Sequence, residues 1–148
     1  MSEVAQSKRA GKYNAKGQHI NKTTLEVTHG KDPDRVWFAS GAEAERYLQL
    51  RALEASGQIR QLRTQRSFPL HWNGVKLGVY RADFEYVVTA ARVHDEYVCV
   101  EDVKGMVTDV FDIKKKLLLA QYKIEVIEIP AKQVKKWHNT IPPPPRGG

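Results

Sequence analysis

The chain has 148 residues, 41% of them hydrophobic, which is enough for one domain with its own core. Lysine and arginine number 24 against 17 aspartates and glutamates, so the net charge of +7 favours a polyanionic partner. A single cysteine, Cys99, excludes an internal disulfide and a zinc ribbon, and no apolar run is long enough for a membrane helix or a signal peptide. We therefore expect a protein of the reducing cytoplasm with no membrane partner.

The two ends of the chain differ in composition from its middle. Residues 1–35 are mostly polar, basic and without hydrophobic periodicity, which predicts a flexible arm. Its candidate nucleic-acid contacts are Lys8, Arg9 and Lys12. Residues 139–148 contain a run of four prolines and are expected to form a disordered, polyproline-like tail. The folded domain is therefore placed at residues 36–138.

The first predicted element of the domain is a helix. Ser40 is a capping residue with Glu43 three positions later, and Gly57 is a stop signal. Two strands follow, and the pair Asn73-Gly74 between them is typical of a two-residue hairpin turn. The run YVCVEDV is rich in β-branched residues and predicts a third, buried strand.

A second helix and a last strand complete the predicted domain. Thr108 is the expected cap of this helix. The residues that recur at helical spacing, and are expected to form its buried stripe, are Val110, Ile113, Leu117 and Ala120. The run KIEVIEIP then predicts a strand that ends at Pro130. The order αβββαβ predicts an α/β domain with a small mixed central sheet flanked by helices.

Acidic residues occur at the ends of two of the predicted strands. Because side chains alternate along a strand, Asp102 and Lys104 are expected on one face of the third strand and Glu101 on the other. The same alternation places Asp83 on a polar face of the second strand. The opposite face is expected to contain Tyr80, Ala82, Phe84 and Tyr86. Two carboxylates at the edge of a sheet repel each other unless a cation or proton intervenes.

A hard divalent metal ion would resolve this repulsion. Mg²⁺ takes one or two carboxylates plus waters and leaves room for phosphate oxygens, as phosphodiester hydrolysis requires. Lys104, two residues beyond Asp102, is then suited to orient the attacking water or to stabilise the charge that develops on phosphorus.

These residues also have simpler structural explanations. Glu43 can close the capping box and do nothing else, although its helical spacing tilts it toward the protein. Asp83 and Asp102 can form surface ion pairs with Arg81 and Lys104, and such pairs are common and weak.

Four further residues are candidate contacts to nucleic acid. Lys114, Lys115 and Lys116 are consecutive on the second helix, so they cannot share one face and most simply form its solvated side. One of them should lie near the site if this helix packs beside the third strand. Gln65 is either a polar group at the edge of the site or an ordinary strand residue.

The arrangement of these motifs resembles the PD-(D/E)XK nuclease superfamily. The residues that carry this resemblance are Glu43 on the first helix, the Asp of RADF and the Asp-Val-Lys of EDVKG, followed by a lysine-bearing helix and a strand. More narrowly, the chain is similar to a phage-encoded uncharacterised family grouped with Holliday-junction resolvases. The resemblance covers residues 37–129, and because its motif is short and degenerate, its specificity comes from the order of the elements.

The resemblance implies a restriction-endonuclease-like core and a set of site residues. It implies that Asp83 and Asp102 bind Mg²⁺, for which Mn²⁺ would substitute, together with the carbonyl of Val103 and with Glu43. It also implies that Lys104 is the catalytic lysine. The implied protein is a metal-dependent endonuclease that hydrolyses DNA phosphodiester bonds. Branched or Holliday-junction DNA is its expected substrate, in phage recombination or genome processing, and a homodimer in the cytoplasm of the host bacterium is its expected form.

The sequence departs from the superfamily pattern at two positions. Ala82 replaces the usual proline before Asp83, and Glu101 stands beside Asp102, so that a bulge would exchange these two carboxylates at the metal. Two other functions stay open because one fold hosts many functions. One is a non-catalytic nucleic-acid-binding module on the same scaffold, and the other is a nuclease that acts on linear duplex DNA or on RNA.

Overall fold

A computed structural model describes residues 16–89 and 95–145. The elements are the strands and helices β1 (Gln18–Asn21), β2 (Val27–Thr28), β3 (Arg35–Phe38), α1 (Gly41–Ala55), β4 (Ile59–Trp72), β5 (Val75–Val88), β6 (Tyr97–Lys104), α2 (Asp109–Tyr122), β7 (Ile127–Pro130) and a 3-10 helix (Ala131–Trp137). The expected mixed α/β architecture is confirmed. In the two described segments, no helix has both the length and the apolar character needed to cross a membrane.

The central sheet has four strands in the order β4-β5-β6-β7. Strand β5 pairs antiparallel with β4 and with β6, and β7 pairs in parallel with β6. The β4–β5 hairpin turns at Asn73 and Gly74, whose φ angles of 47° and 79° are those of the predicted two-residue turn. Strand β6 is buried from Cys99 to Val103 because helices cover both faces of the sheet.

Helix α1 covers one face of this sheet. The hydroxyl of Ser40 accepts a hydrogen bond of 3.2 Å from the backbone N–H of Glu43, which confirms the predicted cap. The helix ends before Gly57, which has a φ angle of 78°. The cluster that α1 forms with the sheet and the 3-10 helix, here the α1 core, includes the fully buried Leu50, Leu53, Ile59, Phe84 and Ile129.

Helix α2 covers the other face, with a different stripe from the one predicted. Its cap is confirmed, since the hydroxyl of Thr108 accepts a 3.1 Å hydrogen bond from the backbone N–H of Phe111. The predicted stripe is wrong for Val110 and Ile113, which are 62% and 57% exposed, and for the exposed Ala120, whereas Leu117 packs partly against the sheet on this side. The buried residues are Phe111 and Leu118, seven positions apart. The cluster that they join, here the α2 core, also contains Phe68, Leu70, Tyr80, Ala82, Val100 and Val126.

A second sheet precedes α1 and corrects the predicted arm. Strands β1, β2 and β3 pair antiparallel in the order β2-β1-β3. Its residues Ile20 and Phe38 are only 1% and 2% exposed and belong to the α1 core. The flexible arm is therefore wrong for residues 18–35, whose strands are too short to show a hydrophobic period. The remaining candidates in this arm, Lys8, Arg9 and Lys12, lie outside the described residues.

The C-terminal prolines also contact the domain. The hydroxyl of Tyr97 donates a 2.7 Å hydrogen bond to the carbonyl of Pro142, which is buried. Ile141 packs partly against the α1 core. The disordered tail is therefore wrong for these residues, because a proline carbonyl remains a good acceptor although its nitrogen cannot donate. Residues 146–148 of the predicted tail lie outside the described residues.

Candidate active site

The candidate site lies where β5 and β6 separate at Asp83 and Asp102, here the fork. Their ladder ends at the pair Phe84 and Glu101, and the next residues on the two strands are Asp83 and Asp102. The backbone N–H of Asp83 donates to Oδ1 of Asp102 at 2.9 Å, and the backbone N–H of Val103 donates to Oδ2 of Asp83 at 2.8 Å. Each carboxylate thus accepts from a backbone amide of the opposite strand, in place of the carbonyl that a continued ladder would supply.

The alternation along β5 is interrupted at Asp83. The four side chains predicted to share a face divide between the cores, with Tyr80 and Ala82 in the α2 core and Phe84 and Tyr86 in the α1 core. That prediction is therefore wrong. On β4, Gln65 lies opposite Asp83 between two paired positions and has a left-handed φ angle of 55°. The strand pair is thus irregular at the residue that brings Asp83 toward β6.

Asp102 is the most buried acid of the site. It is 1% exposed, and the hydroxyl of Tyr80 donates a hydrogen bond to its Oδ2. Burial raises the pKa of Asp102 to about 6, although the charge of Lys104 and the amide of Asp83 act to lower it. Both oxygens of this carboxylate are therefore oriented by the protein.

Asp83 and Glu43 interact electrostatically across the site. Burial raises the pKa of Asp83 against the opposing effects of the Val103 amide and of the Lys104 charge. Burial, followed by the negative charge of Asp83, raises the pKa of Glu43 to about 7. Glu43 also accepts a 3.3 Å hydrogen bond from the backbone N–H of Ala39 at the start of α1. It therefore supports the helix terminus and also belongs to the group of acids at the fork.

Lys104 is a cation of the site that forms no ion pair with the aspartates. Its Nζ lies 4.1 Å from the ring centre of Phe111 on α2, a cation–π contact. Within the described part of the chain, no lysine or arginine nitrogen lies within 4.0 Å of a carboxylate oxygen of Asp83 or Asp102. The alternative explanation of these aspartates as ion-pair partners of Arg81 and Lys104 is therefore wrong.

Glu101 faces the opposite side of the sheet. Its two carboxylate oxygens accept from Nε and Nη2 of Arg46 at 2.8 and 2.7 Å, and both side chains are 0% exposed. The hydroxyl of Tyr86 also donates to Glu101. A one-residue slip of β6 would break this buried pair and leave unpaired charges, which is strongly unfavourable. In this register it is Asp102, and not Glu101, that meets Asp83.

The three consecutive lysines of α2 have three different environments. Their contacts are the carbonyl of Val79 for Lys114 (3.0 Å), Glu128 for Lys115 (2.7 Å) and Asp112 for Lys116 (3.0 Å). They do not share a face, as expected. The Nζ of Lys115 lies 5.8 Å from the ring centre of Phe111, the same ring that Lys104 contacts, so one of the three is beside the site.

Gln65 bridges β4 to the second sheet. Its Nε2 donates a 2.9 Å hydrogen bond to the carbonyl of Trp37 on β3. Although Gln65 lies opposite Asp83 in the sheet, its side-chain donor is used by this backbone contact and reaches neither carboxylate. The explanation of Gln65 as an ordinary strand residue therefore fits its contacts, and the explanation as a polar group of the site does not.

The acids at the fork fit a magnesium ion better than a zinc ion. The carboxylates of Asp83 and Asp102 are hard oxygen donors, and Mg²⁺ is usually held by one or two such groups with waters completing the shell. Burial raises the pKa values of both aspartates and, together with the charge of Asp83, that of Glu43, and a bound cation would oppose these shifts. Over residues 16–89 and 95–145, no three His, Cys, Asp or Glu side chains are arranged to enclose a metal ion. A closed protein cage of the zinc type is therefore absent from these segments.

Two residues that contact the acids of β6 are not identified from the sequence. The alternation along β5 predicts Tyr80 on the face opposite the acids, because the interruption of β5 leaves no local signal. Arg46 had a signal, since it stands four positions before the buried Leu50, and a charged residue in an apolar stripe needs a buried partner. That partner is Glu101, the acid of β6 that the predicted metal site does not use.

Comparison with known proteins identifies a family for almost the whole chain. The family model of DUF1064, described as a protein of unknown function, matches residues 11–136. This range contains both sheets and every residue of the fork. No curated protein and no solved structure matches the chain.

Proposed function

We propose that this chain, which belongs to the DUF1064 family, is a metal-dependent nuclease that hydrolyses phosphodiester bonds of DNA. The observation that carries the proposal is the fork between β5 and β6, where Asp83 and Asp102 exchange backbone hydrogen bonds close to Lys104 and Glu43. A buried group of acids without neutralising ion pairs is typical of a functional site. The fork also supports the restriction-endonuclease-like interpretation of the core.

The proposed ligands of Mg²⁺ are the carboxylates of Asp83 and Asp102 and the carbonyl of Val103. Glu43, which does not form a three-acid metal group with the aspartates, would hold a water molecule of the ion's shell. Mn²⁺ would take the same oxygen donors. When bound, the ion supplies charge neutralisation at a phosphate oxygen and lowers the pKa of a water molecule.

The remaining residues have separate proposed roles. Lys104, held against Phe111, keeps its ammonium group out of ion pairs, so it is free to hold a water molecule or to stabilise charge on the phosphate. Burial raises the pKa of Glu43 to about 7 without the ion, and a bound cation would lower it, so Glu43 would be a carboxylate able to accept a proton from water near neutral pH. The hydroxyl of Tyr80 orients Asp102, as outer partners of metal ligands commonly do.

The charge of the chain supports a nucleic-acid substrate. The excess of seven positive charges favours contacts to phosphates, which give salt-sensitive affinity with little reading of bases. Following the superfamily resemblance, we extend the proposal to branched DNA such as four-way junctions, in phage recombination within a host cytoplasm. Concerted cutting of two strands needs two active sites, so a homodimer is part of this proposal.

The test is cleavage of a labelled four-way junction beside a linear duplex of matched sequence, with Mg²⁺, with Mn²⁺ and with chelator. We expect metal-dependent cutting by the wild type that Asp102→Asn abolishes. Asp112→Asn is the matched control, because it removes an exposed carboxylate that pairs with Lys116 on α2. If neither substrate is cut with either metal, the proposed nuclease function is wrong.

A second candidate is a non-catalytic nucleic-acid-binding module on the same scaffold. It is favoured by one observation, that both oxygens of Asp102 and one of Asp83 already accept hydrogen bonds from the protein. Calorimetric titration with Mg²⁺ or Mn²⁺ separates the two functions. The binding module predicts no metal binding and unchanged DNA affinity in chelator, whereas the nuclease predicts metal binding that Asp102→Asn removes.

A further inference from the structure

Trp37 presents a large aromatic surface on β3, the strand that precedes the helix of Glu43. It is 47% exposed. Two residues later, the backbone N–H of Ala39 donates to the carboxylate of Glu43. The carbonyl of Trp37 itself accepts from Gln65, the residue opposite Asp83 in the sheet. The backbone at and just after Trp37 is therefore hydrogen-bonded to α1, which holds Glu43, and to β4 beside Asp83.

The indole is held in place by the strand beside it. His19 is paired with Trp37 across the β1–β3 ladder, and their ring centres are 4.7 Å apart. Gly17 lies so close that a Cβ atom on it would be 2.3 Å from two carbons of the six-membered ring. A larger residue at position 17 would displace the indole. These contacts fix the ring while nearly half of the residue stays open to solvent.

Arginines are exposed on β3 and on β4, the strand whose Gln65 is hydrogen-bonded to Trp37. Arg35 is exposed and, two residues before Trp37 in β3, belongs to the same face of that strand. Arg63 and Arg66 are exposed on β4 on either side of Gln65. They share one acidic partner, Glu85, at 4.0 and 3.5 Å, so the pair retains a positive charge. Aromatic rings beside cationic groups are typical of surfaces that bind single-stranded nucleic acid.

We propose that Trp37 is a stacking platform for an unpaired nucleobase of the DNA substrate, next to the phosphate that is cut. This inference rests on the proposed nuclease function and specifies its substrate. Inside a duplex both faces of each base are covered by neighbouring bases, so the platform selects DNA with a single-stranded segment, as at a branch or a flap.

The first test measures binding in chelator, where no cutting occurs. A labelled oligothymidylate of 15 nucleotides and a labelled blunt hairpin duplex are each titrated with the wild type, with Trp37→Leu and with Trp72→Leu. Trp72 is the matched control because it is 64% exposed at the end of the β4–β5 hairpin. We expect Trp37→Leu to weaken oligothymidylate binding about 5- to 100-fold with duplex binding unchanged. Equal losses for both ligands, no loss for either, or an equal loss in Trp72→Leu would overturn the proposal.

A second measurement does not require Trp37 to be removed. The variant Trp72→Phe/Trp137→Phe leaves Trp37 as the sole tryptophan. Its fluorescence should be quenched by oligothymidylate and not by the hairpin duplex, and Gly17→Ala in this background should reduce the quenching by shifting the ring. Unchanged fluorescence at saturation by oligothymidylate would overturn the platform. Both measurements are independent of cleavage, so stacking without metal-dependent cutting would contradict the nuclease proposal alone.

Discussion

Glu101 and Asp102 are neighbours in β6 and are equally buried, at 0% and 1% exposure, yet their environments are opposite. Glu101 is neutralised by the bidentate guanidinium of Arg46 on the α1 side. Asp102 meets other acids on the α2 side and has no ion pair within 4.0 Å in the described segments. An arginine balances the charge of Glu101, whereas Asp102 receives only hydrogen bonds from Tyr80 and the Asp83 amide, so a cation or a proton would stabilise it further. The difference separates an acid held in a buried ion pair from an acid held by hydrogen bonds alone.

The largest effect is expected from Lys104→Ala and Asp102→Asn. Each should lower the rate of metal-dependent DNA cutting by about 10²- to 10³-fold or more, because each removes charge stabilisation that the protein offers to the transition state. Single-turnover cleavage measures this loss. Circular dichroism should show both variants folded, and cutting at the wild-type rate by either one would contradict the assignment.

On the other face of β6, Arg46→Ala is expected to affect stability. It leaves the buried carboxylate of Glu101 without its partner, which costs about 3–5 kcal/mol of unfolding free energy. Urea unfolding measures the change. Lys116→Ala is the control, because its ion pair with Asp112 is exposed and is expected to change stability by less than about 1 kcal/mol. If Arg46→Ala and Lys116→Ala lose similar amounts of unfolding free energy, the Glu101 side of β6 has no special importance for stability.

A smaller effect is expected from Tyr80→Phe. Without the hydroxyl that orients Asp102, the Mg²⁺ concentration for half-maximal cutting should rise about 10-fold. Tyr97→Phe also loses one hydroxyl, which bonds to the carbonyl of Pro142 and not to an acid of the site, and should leave the metal dependence unchanged. If Tyr80→Phe shifts only the melting temperature and not the metal dependence, the hydroxyl has a structural role alone.

The smallest effect is a dependence of stability on pH in chelator. The pKa values of Glu43 and Asp102 are raised from 4.5 and 3.8 to about 7 and about 6, so between these values the folded state binds more protons than the unfolded state. Stability should therefore fall as pH rises from about 4.5 to about 7. Thermal melts of the wild type should show a decrease of a few degrees that Glu43→Gln reduces. A melting temperature that rises through this range would contradict the assigned shifts.

Local features of the fold could be predicted from the sequence. The cap at Ser40, the turn at Asn73 and Gly74 and the cap at Thr108 depend on a few adjacent residues, and all are confirmed. The face of α2 that is buried could not be predicted, because Phe111 packs on a hairpin that is distant in the sequence. The strands β1 to β3 were missed for a similar reason, since their stability comes from packing on α1.

The site was predictable in its residues more than in its geometry. The alternation of β6 correctly separates Glu101 from Asp102, whereas the alternation of β5 fails at Asp83. The failure arises because the ladder ends there and side chains replace backbone partners. Such an exchange depends on two strands at once, so a periodicity within one strand cannot reveal it.

The most direct test of the contrast between the two acids is junction cleavage by two variants in Mg²⁺. Arg46→Met/Glu101→Met replaces the buried pair with apolar side chains, an exchange that is often neutral for stability. If the fork is a nuclease site, this double variant should cut in a metal-dependent manner at a rate close to that of the wild type, and Asp102→Asn should not cut. Cutting by Asp102→Asn, together with an inactive but folded double variant, would contradict the account.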